Sequence, residues 1–270
     1  MVVTNNDITK KNYKKLSIQV SLSGLSFCIL DLLTNKIITH NIISFIKESV
    51  LEESLWKIFL DNVILTNDYD EIVVIHDNNL NAFVPHSLFD EKYMGSYLQY
   101  NLKVFATDFF TSDFLINTDI HNVYVPYVNI NNFLLDQFDS FTYKNSNTVL
   151  VSKILELSSL STEKQVFVNF HLNSFQVVVT KGNQLILFNS FEYNTPEDLI
   201  YYILFTFEQL QLNPETVTLQ LLGELTEQSE YYKIAYKYIR NCSLLNTSSI
   251  SSTFGKSEEE VRKHFILFHS

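Results

Sequence analysis

Hydrophobic and polar positions follow the same order in two segments of the chain that lie about 148 residues apart. The first segment, Ser17–Phe45, reads SIQVSLSGLSFCILDLLTNKIITHNIISF, and the second, Val166–Phe191, reads VFVNFHLNSFQVVVTKGNQLILFNSF. In both, short runs of β-branched and large apolar residues are separated by polar turns, which is typical of strands. Each segment is followed by a helix with an acidic start and by another apolar strand. The pattern predicts two copies of one β-β-β-α-β unit.

The first unit is predicted to contain strands at Leu16–Leu22, Phe27–Leu33, Lys36–Phe45 and Glu71–His76. Ser49 and Glu52 form a capping-box pattern at the start of a helix. The apolar residues of that helix recur at helical spacing on one face, at Leu51, Leu55, Ile58, Phe59 and Val63.

The second unit is predicted to contain strands at Gln165–Phe170, Phe175–Thr180, Gln184–Phe191 and Val217–Leu222. Gly182 lies in a tight turn between the second and third of these strands. Thr195 is the expected helix cap, because Pro196 suits the first helical position. The helix is expected to end near Leu210.

The rest of the chain is divided between the two units. The segment between the two units, Asp77–Ser161, is predicted to contain an extended piece, three helices and two strands. The extended piece is at Asn81–Val84, the helices are at Ser87–Gln99, Ile130–Phe138 and Thr148–Leu157, and the strands are at Lys103–Phe109 and Asn122–Tyr127. The carboxyl-terminal part predicts helices at Thr226–Arg240 and Ser257–Phe265, a strand at Cys242–Leu245, and an exposed loop at Asn246–Thr253. We therefore expect two domains, residues 1–161 and 162–270.

Composition and charge narrow the classes of partner. A hydrophobic content of 46% with 14% aromatic residues is enough to build a substantial core. The formal net charge of −11, without a basic stripe, argues against nucleic acid, whose phosphates require clustered Lys and Arg. The one cationic cluster, Lys10, Lys11, Lys14 and Lys15, is interpreted as a solvated leader, with a weak contact to an anionic membrane as the alternative.

The sequence indicates a cytoplasmic protein without a transmembrane segment. No run approaches the roughly 20 apolar residues that span a bilayer, and the amino terminus has no apolar secretory signal. Cys28 and Cys242 lie in apolar, strand-like contexts, so we expect buried free thiols in a reducing compartment. Two cysteines at this separation do not predict a structural zinc site.

The first turn of each unit carries the candidate chemistry: SLSGLS begins at Ser21 and NFHLNS begins at Asn169. Two such β-β-β-α-β halves resemble the actin/sugar-kinase/heat-shock-chaperone ATPase superfamily, and they are similar to an uncharacterised bacterial family with an actin-like ATPase fold. The resemblance implies an α/β fold of two duplicated RNase H-like (actin-like ATPase) domains, each a mixed sheet flanked by helices. In the superfamily each first turn carries an Asp followed by Gly, which handle Mg²⁺ and the ATP phosphates, and a later Gly-Gly pair holds adenosine.

The chain departs from these motifs at each position. Ser21 and Asn169 stand where the two carboxylates are expected, and Phe170 and Leu172 occupy a turn that needs small residues. Gly223 is followed by Glu224 instead of a second glycine. The five glycines are too scattered to form a Walker loop or a GxGxxG turn. We therefore expect no ATPase activity, and a cleft between the halves that is narrower or more apolar than a triphosphate site.

The leading hypothesis is a non-catalytic actin-like protein, a scaffold or regulatory module, that has a protein partner and uses no catalytic residue, metal or cofactor. The alternative is an ATP-binding protein with atypical phosphate loops, whose binding residues are Ser23, Gly24, Ser26, Asn169, Asn173 and Gly223. A third class is an enzyme with a new site in the cleft around Asp77 and His171. The tyrosines at positions 93, 97 and 100 suggest an exposed stripe suited to an interface.

Overall fold

The computed structural model describes residues 11–45, 51–105, 107–116 and 118–270. The predicted capping box of Ser49 with Glu52 and the first lysine of the cationic cluster, Lys10, involve residues outside these ranges. Within them, none of the helices combines the length and apolarity required to cross a membrane.

The first unit contains β1 (Lys14–Val20), β2 (Gly24–Asp31), β3 (Lys36–Ser44), α1 (Leu51–Asp61), a 3₁₀ turn (Val63–Thr66) and β4 (Glu71–His76). The strand and helix predictions are confirmed here, with shifts of up to three residues at their ends. Lys14 and Lys15 belong to β1, so the cationic cluster is not simply a leader before the first strand. Burial lowers the pKa of Lys15, whose Nζ donates a hydrogen bond to the carbonyl oxygen of Ser270.

The intervening segment contains β5 (Asn81–Pro85), 3₁₀ turns at His86–Leu88 and Glu91–Tyr93, α2 (Met94–Leu98), β6 (Thr111–Leu115), β7 (Ile120–Tyr124), α3 (Val128–Gln137), β8 (Thr142–Asn145) and α4 (Ser146–Ser158). The continuous helix predicted at Ser87–Gln99 is wrong. The backbone is extended at Phe89 and Asp90, because the Asp90 side chain accepts the Lys92 amide and starts a new turn.

The strand predicted at Lys103–Phe109 is also wrong at the described residues of that range, none of which belongs to a strand. Asp108 Oδ2 accepts the backbone N–H of Phe105 at 2.8 Å, and this local bond occupies a donor that strand pairing could use. The strand lies further along the chain, at β6. Sequence patterning also missed β8, a four-residue strand in which two residues are exposed.

The second unit contains β9 (Lys164–Phe170), β10 (Ser174–Lys181), β11 (Gln184–Glu192), α5 (Pro196–Gln209) and β12 (Thr218–Gly223), followed by α6 (Glu230–Tyr238), β13 (Asn241–Leu244), α7 (Ser248–Phe254), α8 (Glu258–Lys263) and α9 (Phe265–Phe268). Capping boxes at Thr195 with Asp198 and at Ser257 with Glu260 are formed. The exposed loop predicted at Asn246–Thr253 is largely helix α7. Its polar side chains support the helix, since Asn246 Oδ1 accepts the Ser248 amide at 3.0 Å.

Two five-stranded mixed sheets have the same topology. Their strand orders are β3-β2-β1-β4-β8 and β11-β10-β9-β12-β13, and the strands in corresponding positions have the same relative directions. Each third strand contains a bulge, and the residue skipped in the pairing is Ile38 in β3 and Ile186 in β11. The predicted duplication is therefore confirmed, down to matching irregularities. A third sheet, β5-β7-β6, extends from the first unit.

Among the described residues, four hydrophobic clusters hold the sheets and helices together, and the smallest packs α2 against β5 and β7 of the third sheet. The other three involve the five-stranded sheets. One lies between the first sheet and helices α1 and α3, and another lies between the second sheet and helices α5 and α6. The third joins the two sheets through α4 and the carboxyl-terminal helices, and includes Leu150, Phe265 and Leu267, each at most 1% exposed. The division predicted after Ser161 falls in the turn between α4 and β9 and stays a prediction.

Candidate functional site

The first turns of the two units lie at the cleft between the sheets, and several of their amides are already occupied. Ser21 N donates to the carbonyl of Gly24 at 2.9 Å, and Ser23 N donates to the Ser21 hydroxyl at 3.2 Å. In the second turn His171 N donates to the carbonyl of Ser174 at 2.8 Å. These N–H groups close their own hairpins and do not converge on a common point, as the amides of a phosphate cradle do.

The strand pairing changes which residues correspond between the two turns. Val20 pairs with Leu25 and Phe170 pairs with Phe175, so the first hairpins match at a separation of 150 residues rather than 148. Ser21 therefore corresponds to His171. The predicted equivalence of Ser21 and Asn169 is wrong, since Asn169 occupies the place that Gln19 has in the first strand.

Asn169 is buried and spans part of the gap between the domains. Its Nδ2 donates to Gln176 Oε1 at 2.9 Å and to His171 Nε2 at 3.0 Å. Gln176 Nε2 in turn donates to Asn79 Oδ1, in the loop after β4, at 3.2 Å. The amide of Asn169 thus belongs to a chain of side chains that links the second sheet to the first domain.

Asp77 and His171 form hydrogen bonds with different side chains. The Asp77 carboxylate accepts from Gln19 Nε2 at 2.9 Å, whereas His171 accepts from Asn169. His76 is fully buried, and burial lowers its pKa to about 4. Its Nδ1 accepts the Tyr127 amide, so the neutral ring donates from Nε2 to an Asn side chain at 3.0 Å. This histidine supports the turn structurally.

Gly24 and Gly223 have structural reasons to be glycine. A Cβ at Gly24 would lie 2.6 Å from the carbonyl oxygen of Ile43, across the β2–β3 pair. Gly223 has a φ of +96°, and a Cβ there would lie 2.3 Å from the carbonyl oxygen of Phe170. Close packing of strand backbones therefore explains both glycines without a bound nucleotide.

An open cavity of about 360 Å³ marks the cleft between the two turns. It is bordered by Gln19 and Ser26 of the first sheet, by Asn169 and His171 of the second, and by residues 263–266 of the carboxyl-terminal helices. This volume is at the lower end of the range for small-molecule pockets. Ser26 and Asn169 of the alternative ATP-binding set therefore border one cavity. Ser23, Gly24, Asn173 and Gly223 do not line it.

The carboxyl-terminal helices limit the cleft. Lys263 Nζ forms an ion pair with Glu224 Oε1 at 2.6 Å on the cavity wall. Beyond it, Phe265 and Ile266 enter the core shared by both sheets, where α9 packs against β1 and β2. The two carboxyl-terminal helices and this ion pair therefore form one wall of the cleft next to the two turns.

Phe170 and Leu172, which were predicted to fill space in the cleft, both border the cavity. The Phe170 ring packs within the core of the second domain, with its centroid 6.2 Å from that of Phe175 and 6.3 Å from that of Tyr193. Leu172 borders the cavity and is 82% exposed. Phe170 is 4% exposed, so its ring contributes mainly to the core, whereas Leu172 is exposed at the opening.

A buried network of amide side chains was missed by sequence reasoning. Asn81, Asn122 and Asn147 are at most 9% exposed, and Asn81 hydrogen-bonds to each of the other two at 2.8 Å. Asp113 accepts from Thr148 Oγ1 at 2.6 Å beside the first turn of α4, and burial raises the pKa of this carboxyl. The Asn-rich segments around β4, β8 and α4 were the available signal. Polarity of this kind is typical of exposed turns and gives no sign of a buried network.

Two other candidates are placed by the structure. Tyr93 and Tyr100 are exposed, but the Tyr97 hydroxyl donates to the carbonyl of Leu88 at 2.7 Å, so the three do not form a continuous free stripe. Among the described residues there is no group of three or more His, Cys, Asp or Glu arranged to hold a metal ion.

Comparison with known proteins agrees with this architecture. The sequence model of a family described as "Protein of unknown function (DUF3822)" matches residues 4–242. A crystal structure from Bacteroides thetaiotaomicron, of a protein with an actin-like ATPase fold and unknown function, is 21% identical, with a TM-score of 0.80 over 94% of this chain and 98% of that one. A chain of the PilM–PilN type IV pilus biogenesis complex is 11% identical, with a TM-score of 0.57 over 94% and 96%. No curated protein matches the sequence. The resemblance to the actin-like ATPase fold is confirmed.

Proposed function

The chain belongs to the DUF3822 family, and we propose that it is a non-catalytic actin-like protein that acts through a protein partner, as a scaffold or a regulatory subunit. The main support for the proposal is that the cleft has few free groups that could bind a nucleotide. Amides of both turns bond within their own hairpins, and an ion pair and two helices border the small cavity between them.

Electrostatics support the same proposal. Mg²⁺ in nucleotide sites is held by one or two carboxylates together with phosphate oxygens. The strand register matches Ser21 with His171 and Gln19 with Asn169, and neither pair contains a carboxylate. The carboxylate that borders the cavity, Glu224, is paired with Lys263. The arrangement offers neither a free carboxylate for the metal nor a free cation for the phosphates at this wall of the cleft.

A protein partner is favoured because the fold is retained without these nucleotide groups. The PilM–PilN complex illustrates that a chain with a related fold occurs in an assembly with another protein. Several apolar side chains of the present chain are also largely exposed, including Trp56 at 51% and Tyr201 at 62%. Such residues are favoured in interfaces.

The test is thermal unfolding of the full chain with and without 5 mM Mg-ATP. A ligand at one hundred times its Kd stabilises a protein by about 2.7 kcal/mol. At about 2 °C per kcal/mol for a chain of this size, a Kd near 50 μM would raise the Tm by about 5 °C. We expect no increase, and no ATP turnover above buffer.

The ATP-binding alternative makes the opposite prediction. A rise of several degrees that is reduced by exchanging Ser26 or Asn169 for Ala would establish nucleotide binding at the cleft. Measurable turnover that those exchanges abolish would refute the non-catalytic assignment. An Asn41→Ala protein, altered on the outer strand of the first sheet, is the control for general loss of stability.

A further inference from the structure

A second opening lies between two strands that belong to different sheets. It has a volume of about 630 Å³ and runs between β5 of the three-stranded sheet and β11 of the second five-stranded sheet. β5 pairs only with β7, and β11 pairs only with β10, so within the described residues both are edge strands. We call this opening the β5–β11 groove. Two unpaired strand edges thus border one channel.

An aromatic contact bridges the two strands and connects the groove to the protein core. The rings of Phe83 in β5 and Phe188 in β11 have centroids 4.9 Å apart. Both pack against the cluster that joins the two sheets. The side chains of the two strands therefore touch, although their backbones are not paired and the strands belong to separate sheets. The groove is held in shape by packing.

The edge of β11 has backbone groups directed away from its neighbour. Ser190 N donates to the side chain of the preceding Asn189 at 2.9 Å instead of to β10. The duplicated strand β3 has the same feature, in which Ile42 N donates to Asn41 Oδ1 at 2.9 Å. An amide side chain of this kind occupies a free edge N–H, and an incoming backbone carbonyl can replace it.

The groove walls indicate what kind of molecule they suit. Among the residues that border the opening, Glu192 is the charged one, and the others are apolar or carry neutral amides and hydroxyls. Anions such as nucleotides and nucleic acid are not favoured by this lining in a chain of net charge −11. The groove lining suits a neutral peptide backbone whose side chains alternate in direction.

We propose that the β5–β11 groove binds an extended, largely uncharged peptide segment of a protein partner, which adds a strand to the edge of β11. Strand addition gives affinity through main-chain hydrogen bonds and specificity through pockets for alternate side chains. β5 has five residues, which corresponds to about 17 Å, so the segment has about five residues within the groove. A Lys or Arg of the peptide is favoured beside Glu192. The inference rests on the proposed function only in that it requires a protein partner.

The test uses a phage-displayed library of linear random 12-residue peptides, selected on the full chain. Selected peptides are synthesised with a fluorophore, and their Kd is measured by anisotropy. We expect alternating apolar sequences that bind with micromolar Kd. Methylating alternate backbone nitrogens removes the donors of one strand edge, so one of the two methylation registers should weaken binding at least tenfold.

The internal duplication supplies a matched pair of variants. Ile186→Lys places a charge in the groove at the bulge of β11, and Ile38→Lys makes the same change at the corresponding bulge of β3, outside the groove. We expect at least tenfold weaker peptide binding for Ile186→Lys and less than twofold change for Ile38→Lys. Circular dichroism checks that both are folded. Amide hydrogen exchange of β5 and β11 should slow when peptide binds the unaltered protein.

Three results would overturn the inference: a library that yields no binder, a selected peptide that tolerates methylation in both registers, or equal binding to the two lysine variants. Binding that depends on Ile186 but not on peptide backbone N–H groups would show side-chain recognition and would also exclude strand addition. Nucleotide binding is measured separately. A stabilising effect of Mg-ATP would refute the proposed function while leaving the groove result interpretable by itself.

Discussion

Replacing Gly223 with alanine tests whether this glycine is structural. Its φ of +96° lies in the region that L-residues avoid, which costs about 1–2 kcal/mol. The new Cβ would also lie 2.3 Å from the Phe170 carbonyl oxygen and 2.6 Å from its nitrogen, both backbone atoms of the neighbouring strand β9. Overpacking of this kind adds about 1–3 kcal/mol. The expected loss is therefore about 2–5 kcal/mol.

The assay is the Tm by circular dichroism, in buffer without nucleotide. At about 2 °C per kcal/mol, Gly223→Ala should melt about 4–10 °C below the unaltered protein. Gly255→Ala is the matched control, because Gly255 also has a positive φ, of +66°, but a Cβ there meets only the Lys36 side chain, at 3.9 Å. Its expected loss is about 1 kcal/mol, or about 2 °C.

Two results would refute this reasoning about Gly223. One is a Gly223→Ala protein that melts no lower than the Gly255→Ala protein, which would mean that the strand backbones separate without cost. The other is a Gly223→Ala protein with an unchanged Tm that has lost a stabilising effect of Mg-ATP. That outcome would assign the glycine to nucleotide binding.

Three further changes have defined outcomes. Burial lowers the pKa of His76 to about 4. The free energy of unfolding that this neutral histidine contributes is therefore fully present above the unfolded pKa near 6.5 and falls as the pH drops towards 4. Urea unfolding should show a loss of roughly 2 kcal/mol from this group at pH 5, and a pH-independent free energy of unfolding would contradict the prediction. Burial raises the pKa of the Cys28 and Cys242 thiols to about 12. A thiol reagent at pH 8 should therefore label the native protein at least a hundredfold more slowly than the urea-unfolded protein. Equal labelling rates would be inconsistent with burial of the two thiols. Thr195→Ala removes a capping box and should cost about 1 kcal/mol by the same urea assay, whereas Thr195→Ser should be nearly neutral; similar losses for both would argue against the cap.

The duplicated architecture was predictable because the periodicity of its strands is strong. The sheet strands are buried on at least one face, so they carry dense β-branched and aromatic patterns. The turn between the second and third strands led to a wrong alignment of the two units. It has four residues, 32–35, in the first unit and two, 182–183, in the second. A lag of 148 residues, which aligns Phe27 with Phe175, therefore shifted the first hairpins by two residues, because the pairing matches Leu25 with Phe175. Only the strand pairing reveals that Ser21 corresponds to His171.

The surroundings of the cleft were less predictable because they are assembled from distant parts of the chain. The turns at Ser21 and Asn169 were recognisable as the candidate site, since turns at strand ends have local sequence signals. The ion pair of Lys263 with Glu224 joins residues 39 positions apart, and periodicity does not report such contacts. The buried amides around Asn147 were hidden for a related reason. Polar residues normally indicate exposure, unless tertiary partners satisfy their hydrogen bonds.

Isothermal titration calorimetry with Mg-ATP and Mg-ADP measures directly whether the cleft between the two sheets binds nucleotide, which we propose it does not. At 50 μM protein and up to 2 mM nucleotide, we expect only the heat of dilution for both nucleotides. A saturable one-site heat that disappears in the Asn169→Ala protein, and persists in the Asn41→Ala control, would contradict it.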